Sequence, residues 1–171
     1  MTRRRIGIAA ALAVTVLLAG CAGEDGASDD DTLPSIELID LAAPDETIDL
    51  AATTAAPRVI NLWATWCAPC RAELPAFDEV ADRAGDAIAM LGVNIGEGTE
   101  QARELIDELG VGFPQGVDPS GDVTAELRVS GLPATLFTTA DGEVLHVHAG
   151  PLDADDLIRK IDEHFGVQVD A

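Results

Sequence analysis

The sequence predicts an α/β domain, and three of its features support that prediction. Short apolar runs of strand length alternate along the chain with longer segments whose apolar residues recur at helical spacing. Clusters of glycine, proline and aspartate separate these runs, as they do between secondary-structure elements. Two cysteines separated by two residues, Cys67 and Cys70, stand where one such strand turns into a helix. A chain of 171 residues is long enough for one domain of this kind.

The elements begin with an N-terminal hairpin over residues 36–50, folded around the turn at Pro44. The principal strands are predicted at Arg58–Trp63, Ala87–Ile95, Ala134–Thr139 and Glu143–His148, with a shorter one at Gln115–Asp118. Helices are predicted at Cys70–Ala84, from a cap at Thr99 to Gly110, at Ser120–Arg128, and from Asp153 to Gly166. The tripeptide Ala-Asp-Gly at 140–142 is typical of a hairpin turn and joins the last two strands.

The cysteine pair is placed for reversible dithiol/disulfide chemistry. Cys67 falls at the predicted N-terminus of a helix, where unpaired backbone N–H groups and the helix dipole favour a negative sulfur. The thiolate is the nucleophilic form of cysteine, and a cysteine at such a position has a lowered pKa. Cys70 follows one turn later, where it can resolve a mixed disulfide. Pro69 suits the first helical turn because it has no N–H to lose there.

A structural zinc site is the competing interpretation, because Cys-x-x-Cys is also half of a four-ligand zinc site. The sequence offers no second cysteine pair, and His146 and His148 alternate within a predicted strand. The redox interpretation is therefore favoured, with no bound metal and no cofactor beyond the disulfide itself. Two other uses of the pair stay open, namely Cu(I) binding and delivery by Cys67, Cys70 and a histidine, and peroxide reduction by Cys67.

Residues 36–166 resemble the thioredoxin superfamily, and within it the TlpA/ResA-like membrane-anchored thiol-disulfide oxidoreductases. The stretch VINLWATWCAPCRAELP at 59–75 is similar to the active-site segment of that group, and VSGLPATLF at 129–137 resembles its cis-proline loop. The resemblance implies a thioredoxin-like fold, in which helices cover both faces of a central mixed sheet. It also implies that the predicted N-terminal hairpin belongs to this fold, and that the Thr99 helix and the short strand after it form a TlpA/peroxiredoxin-type insertion.

The resemblance also implies roles for individual residues. Cys67 is the attacking thiol and Cys70 the resolving thiol. Pro133 follows a cis peptide bond and packs against the disulfide, and the backbone of Leu132 pairs with a substrate strand. We expect Trp66 mainly to pack and to shield the thiols, and it is also a candidate substrate contact.

Glu73 is a candidate acid or base for the resolving thiol. It lies three residues after Cys70, where the TlpA/ResA-like group places a glutamate, whereas thioredoxin itself has a buried aspartate at the position of Asn61. A partly desolvated carboxyl one turn from Cys70 would have a raised pKa and could exchange a proton with that thiol. We interpret the nearby aromatic residues Trp63 and Phe77 as core residues.

The N-terminus predicts export and lipidation. Three arginines at 3–5 precede an apolar run at 6–18, which is too short for a comfortable transmembrane helix and typical of a secretory signal peptide. The segment Leu-Ala-Gly-Cys that ends at Cys21 resembles a bacterial lipobox, which implies cleavage before Cys21 and lipidation of its sulfur.

The predicted organisation is a lipoprotein signal peptide at 1–20, a lipid-anchored flexible linker at 21–35 and a thioredoxin-like domain at 36–171. The whole chain carries a net charge of −21. Residues 1–20 hold three of the ten basic residues and none of the 31 acidic ones, so the rest of the chain carries −24. Such a charge argues against nucleic acid and anionic membrane surfaces as binding partners.

We therefore expect a thiol-disulfide oxidoreductase, lipid-anchored at the extracytoplasmic face of the cell membrane, whose substrates are protein thiols and disulfides. The resemblance implies a protein disulfide reductase, with cytochrome c maturation as a candidate process and a membrane-embedded thiol carrier as electron donor. The alternative within the same class is an oxidase that forms disulfides in secreted proteins, because the residues between the cysteines do not fix the direction of electron flow.

Overall fold

The structure is a computed structural model that describes residues 32–170, and in this part of the chain seven strands form one sheet. The strands are β1 (Glu37–Asp40), β2 (Thr47–Asp49), β3 (Arg58–Trp63), β4 (Ala89–Ile95), β5 (Gln115–Asp118), β6 (Ala134–Thr138) and β7 (Val144–Ala149). The α-helices are α1 (Ala68–Ala84), α2 (Thr99–Leu109), α3 (Asp122–Glu126) and α4 (Ala154–Phe165). None of these helices is long and apolar enough to cross a membrane.

The sheet is mixed, and β3 lies in its interior. The strand order is β2-β1-β5-β4-β3-β6-β7. The β3–β4 and β4–β5 pairs are parallel, whereas β3–β6, β6–β7, β1–β5 and β1–β2 are antiparallel. The N-terminal hairpin and the additional α2–β5 segment are both present. The thioredoxin-like fold predicted from the sequence is confirmed.

Helices cover both faces of the sheet because the buried strands are apolar on both sides. Val59 and Trp63 of β3 face the core that packs under α1, α2 and α4. Ile60 and Leu62, which alternate with them, face the second core, which packs under α3. A strand buried on both faces is expected to be a continuous apolar run, and β3 has this pattern apart from Arg58 and Asn61.

Several predicted boundaries are wrong by a few residues. The strand predicted from Ala87 begins at Ala89, because Gly85–Ala87 forms a 3₁₀ turn. Thr99 does not cap α2; Gly98 occupies the cap position, and no side chain caps the helix. The helix predicted at Ser120–Arg128 is shorter than expected, because only Asp122–Glu126, the residues of α3, are helical.

The short length of α3 has two causes. Gly121, the residue before it, takes a left-handed conformation with φ 76°. Arg128, two residues after the helix, also has positive φ and turns the chain away.

Residues just before the predicted domain start at 36 contact the domain. Leu33 is buried in the second core, and its N–H donates to the Gly142 carbonyl at 2.8 Å. Thr32 forms an isolated antiparallel bridge with Glu143. The last residues of the predicted linker therefore contact the domain. The predicted signal peptide and Cys21 lie outside the described residues.

Gly92 in β4 lies so close to the Gln115 side chain that a Cβ atom would overlap it. Gln115 is held there because its Oε1 accepts a hydrogen bond from Trp63 Nε1 at 3.0 Å, and its Nε2 donates to the Phe113 carbonyl at 3.2 Å. We expect Gly92→Ala to lower the free energy of unfolding by about 1–3 kcal/mol, the usual cost of overpacking a core. Denaturant titration measures it. Gly131→Ala, where an added Cβ meets nothing within 4 Å, is the control, and equal losses in both variants would contradict this account.

Candidate active site

Cys67 and Cys70 form a disulfide at the N-terminus of α1, with their Cα atoms 5.3 Å apart. Cys67 is the N-cap residue, in extended conformation, and its sulfur accepts a hydrogen bond from Cys70 N–H at 3.3 Å. The helix begins at Ala68, two residues before the predicted start, and Pro69 lies in its first turn. Both cysteines are buried.

This position favours a thiolate on Cys67 in the dithiol form. The sulfur lies at the positive end of the helix dipole and already receives a backbone N–H. A negative sulfur is stabilised there by groups that the fold holds in place, against the acidic charge of the whole chain. The geometry suits nucleophilic attack by Cys67 on a disulfide.

Glu73 is buried on the inner face of α1, one turn after Cys70. Its Oε1 accepts a hydrogen bond from Asn61 Nδ2 at 2.8 Å, and its Oε2 accepts one from the Leu152 backbone N–H at 2.9 Å. Burial raises the pKa of Glu73 to about 7, and the two hydrogen bonds limit the rise because they favour the ionised form. The carboxyl is therefore able to gain and lose a proton near neutral pH.

A groove of about 380 Å³ connects Glu73 with the surface between α1 and the loop before α4. Pro69 and Ala72 line it on the α1 side, and Pro151 and Leu152 on the other. A buried acid that exchanges protons during turnover needs such access to solvent.

The peptide bond between Leu132 and Pro133 is cis, as the resemblance implied. Pro133 is buried, and Leu132 packs against the core that contains both cysteines. A groove of about 400 Å³ runs along residues 127–134 and the facing part of β7. The substrate contact expected of Leu132 stays a prediction.

Trp66 does not pack as the sequence suggested, since 71% of it is exposed immediately before Cys67. A pattern of aromatic residues does not distinguish a buried ring from one presented to solvent. Trp63 and Phe77, in contrast, are fully buried, as predicted. The exposed ring of Trp66 is available to contact a substrate, and that role also stays a prediction.

Glu97, which the sequence analysis did not single out, holds the loop in front of Cys67. Its carboxylate accepts hydrogen bonds from the backbone N–H and the hydroxyl of Thr65 and, at 2.9 Å, from Asn94 Nδ2. Burial would raise the pKa of Glu97, but these hydrogen bonds outweigh it and hold the pKa below its usual value. Glu97 could have been found by noting that the carboxyl ends of the parallel strands β3 and β4 meet at one edge.

The histidines considered as metal ligands contact one another at the edge of the sheet. His146 of β7 stacks on His164 of α4, with ring centroids 4.7 Å apart, and lies 6.5 Å from the His148 ring. Within residues 32–170, no group of three or more His, Cys, Asp or Glu side chains is arranged to hold a metal ion.

The family model described as Redoxin matches residues 28–163, most of the chain. This chain belongs to the redoxin family. Redoxin relatives named for thiol-disulfide exchange include the thiol:disulfide interchange protein HelX of Rhodobacter capsulatus, 32% identical over 75% of this chain and 72% of HelX. The thiol-disulfide oxidoreductase ResA of Bacillus subtilis is 28% identical over 83% of this chain and 79% of ResA. For two other relatives the match spans only 62% and 56% of their length.

A solved structure has the same fold as this chain. The pneumococcal exposed lipoprotein thioredoxin Etrx1 of Streptococcus pneumoniae superposes with a TM-score of 0.66, at 28% identity, over 76% of this chain and 99% of its own. The relatives and the cysteine pair together show the class of enzyme. This redoxin domain is a thiol-disulfide oxidoreductase.

Proposed function

We propose that the protein is a protein disulfide reductase, lipid-anchored on the extracytoplasmic face of the cell membrane. The observation that carries the proposal is the buried carboxyl of Glu73, one turn from Cys70 in the helix that begins at the Cys67–Cys70 pair. In the reductive direction Cys70 must lose a proton in each turnover. The same carboxyl would serve either direction, and the resemblance to the TlpA/ResA-like oxidoreductases is what supports the reductive one. A carboxyl whose pKa is about 7 is suited to accept that proton.

The reaction proceeds in two exchange steps. The Cys67 thiolate attacks one sulfur of the substrate disulfide, which forms a mixed disulfide and releases the other substrate sulfur as a thiolate. Cys70 then gives its proton to the Glu73 carboxylate and attacks the Cys67 sulfur. This step forms the Cys67–Cys70 disulfide and releases the second substrate thiolate. Two electrons pass from the enzyme to the substrate, and the released thiolates take up protons from solvent and from Glu73.

The cis-proline loop is the proposed substrate-binding surface. An extended substrate segment pairs with the backbone at Leu132, beside Pro133, and the exposed ring of Trp66 covers it. The groove along residues 127–134 is open to solvent beside Pro133, so an extended substrate segment can lie in it.

The substrates we propose are extracytoplasmic proteins with Cys-x-x-Cys disulfides, among them apocytochromes c during cytochrome c maturation. The resemblance to the TlpA/ResA-like oxidoreductases supports this choice, as does the similarity to ResA of Bacillus subtilis. A membrane-embedded thiol carrier then returns two electrons to the Cys67–Cys70 disulfide after each cycle.

A peptide assay tests the direction and the substrate class together. The full chain is reduced, freed of reductant and mixed with a disulfide-bonded Cys-x-x-Cys-His peptide, the motif of c-type haem attachment. We expect one peptide disulfide to be reduced for each Cys67–Cys70 pair oxidised. If the peptide disulfide persists while the oxidised protein instead converts the dithiol peptide to its disulfide, the protein is an oxidase.

The lipid anchor rests on the lipobox-like segment that ends at Cys21 and finds support in Etrx1, a similar protein described as an exposed lipoprotein. We expect the membrane-extracted protein to begin at Cys21 and to carry the added mass of a diacylglyceryl group. Intact-mass measurement, with Cys21→Ser as the control, tests this. An unmodified Cys21 in protein extracted from membranes would contradict the anchor.

A further inference from the structure

Two buried polar atoms beneath the active site have no hydrogen-bond partner. They are Asn61 Oδ1 and Thr135 Oγ1, and both residues are fully buried. Asn61 on β3 and Thr135 on β6 are directly paired across the antiparallel strands, so their side chains lie next to each other on one face of the sheet. On that face the Asn61 amide already contacts Glu73. Buried polar groups are nearly always satisfied, so the pair calls for a physical explanation.

The observed hydrogen bonds satisfy only one protonation state of Glu73. Both of its oxygens accept from N–H groups, of Asn61 and of the Leu152 backbone, which is the arrangement that an ionised carboxylate requires. A protonated carboxyl needs an acceptor for its O–H. The Leu152 backbone cannot become an acceptor at that atom, whereas a side-chain amide can, because a half-turn exchanges its oxygen and its NH₂ group within the same shape.

We propose that Asn61 and Thr135 form a hydrogen-bond switch that satisfies Glu73 in both of its protonation states. When Glu73 is ionised, Asn61 Nδ2 donates to it, as in the structure, and a rotation of the Thr135 side chain lets its hydroxyl donate to the unpartnered Asn61 Oδ1. When Glu73 is protonated, the amide turns, Oδ1 accepts the carboxyl O–H, and Nδ2 donates to the Thr135 oxygen. A hydroxyl can serve as donor in one state and acceptor in the other, which an apolar side chain cannot.

The switch deepens the proposed function, on which it rests, because it concerns the proton that Cys70 passes to Glu73. Neither Asn61 nor Thr135 takes up a proton; both are positioning residues. Without them polar groups would stay unpartnered in the core in both protonation states, at a different cost in each. That difference would move the pH at which Glu73 exchanges its proton and slow the resolving step.

Thr135→Val tests the switch, because it keeps the shape of the side chain and removes only the hydroxyl. Each state of Glu73 then loses one hydrogen bond of the Asn61 amide: the protonated state leaves an N–H without an acceptor, and the ionised state leaves the amide oxygen without a donor. A buried N–H without an acceptor is the rarer and costlier of the two, so we expect the pKa of Glu73 to fall and thiol exchange to slow by about threefold, less than the full size of one buried hydrogen bond. The readouts are the ¹³C titration of the Glu73 carboxyl in the oxidised full chain and the pH profile of exchange. Thr135→Ser should restore both.

Thr138→Val is the matched control, because Thr138 is a buried threonine of the same strand whose hydroxyl donates to the Thr139 carbonyl, away from Glu73. It should leave the Glu73 titration unchanged. A Thr135→Val protein that titrates like the parent, with the same pH profile, would overturn the switch. A different result would contradict the proposed function but not the switch. In that case Glu73→Gln leaves the pH profile of exchange unchanged, while Thr135→Val still moves the Glu73 titration.

Discussion

Replacing Cys70 with serine is expected to stop turnover and to trap the protein as a mixed disulfide with its substrate. The Cys67 sulfur keeps its place at the N-terminus of α1, so the first exchange step proceeds. The second step has no nucleophile, because a serine hydroxyl does not displace a thiolate from a disulfide. We expect steady-state reduction of a disulfide peptide to fall by at least about a thousandfold, as for removal of an essential nucleophile in other enzymes.

Intact-mass measurement detects the trapped species directly as the protein mass plus that of one peptide. Cys67→Ser is the matched control, because it removes the attacking sulfur and should form no adduct, although it lowers turnover just as strongly. If Cys67→Ser accumulates the adduct and Cys70→Ser does not, the two roles are reversed. Full turnover in either variant would contradict the dithiol mechanism.

Glu73→Gln is expected to slow exchange and to remove a pH-dependent step near neutrality. The variant keeps the size of the side chain but cannot accept the proton of Cys70. General acid–base catalysis contributes roughly a hundredfold or more, so we expect a loss of about that size in the resolving step. Stopped-flow measurement of exchange between pH 5 and 9 checks this. Glu79→Gln, an exposed glutamate of the same helix, is the control and should leave the profile in place.

The same substitution should change how stability depends on pH. The folded protein raises the pKa of Glu73 from 4.5 to about 7, so between these values it binds more protons than the unfolded chain. Glu73 therefore stabilises the folded protein fully below pH 4.5, and this stabilisation is lost as the pH rises to about 7. The loss amounts to about 3 kcal/mol.

Denaturant titrations of the oxidised proteins at pH 5 and pH 8 measure that loss. The parent and Glu79→Gln should lose this contribution between the two pH values, whereas Glu73→Gln should not. An equal pH dependence in all three proteins would show that Glu73 is not the buried acid described here.

The sequence predicted the fold because its strongest signals are local. The apolar run at Arg58–Trp63 predicts both ends of β3 correctly. The turn residues around Gln115–Asp118 do the same for β5. The predicted N-cap of α2, Thr99, is wrong by one position, because Gly98 and Thr99 follow each other and both residue types are suitable helix caps. Helix ends depend on a single backbone conformation that several neighbouring residues can adopt.

The site was predictable where the chemistry lies within one segment and not where it joins distant ones. Cys67 caps α1, Cys70 and Glu73 lie within its first two turns, and Pro133 lies in a loop with a recognisable sequence. Glu97 escaped notice because it approaches Thr65 only after the parallel pairing of β3 and β4.

The Asn61–Thr135 pair likewise depends on the register between β3 and β6, which no local pattern encodes. The exposure of Trp66 depends on what the rest of the fold leaves uncovered.

The reduction potential of the Cys67–Cys70 pair tests the central claim most directly. The full chain is equilibrated in glutathione and dithiothreitol buffers of known potential, and the fluorescence of Trp66, exposed beside Cys67, reports the fraction reduced. A protein disulfide reductase predicts a reversible two-electron transition near the value of thioredoxin, about −270 mV. A value near about −120 mV, typical of an oxidant of secreted proteins, would contradict it.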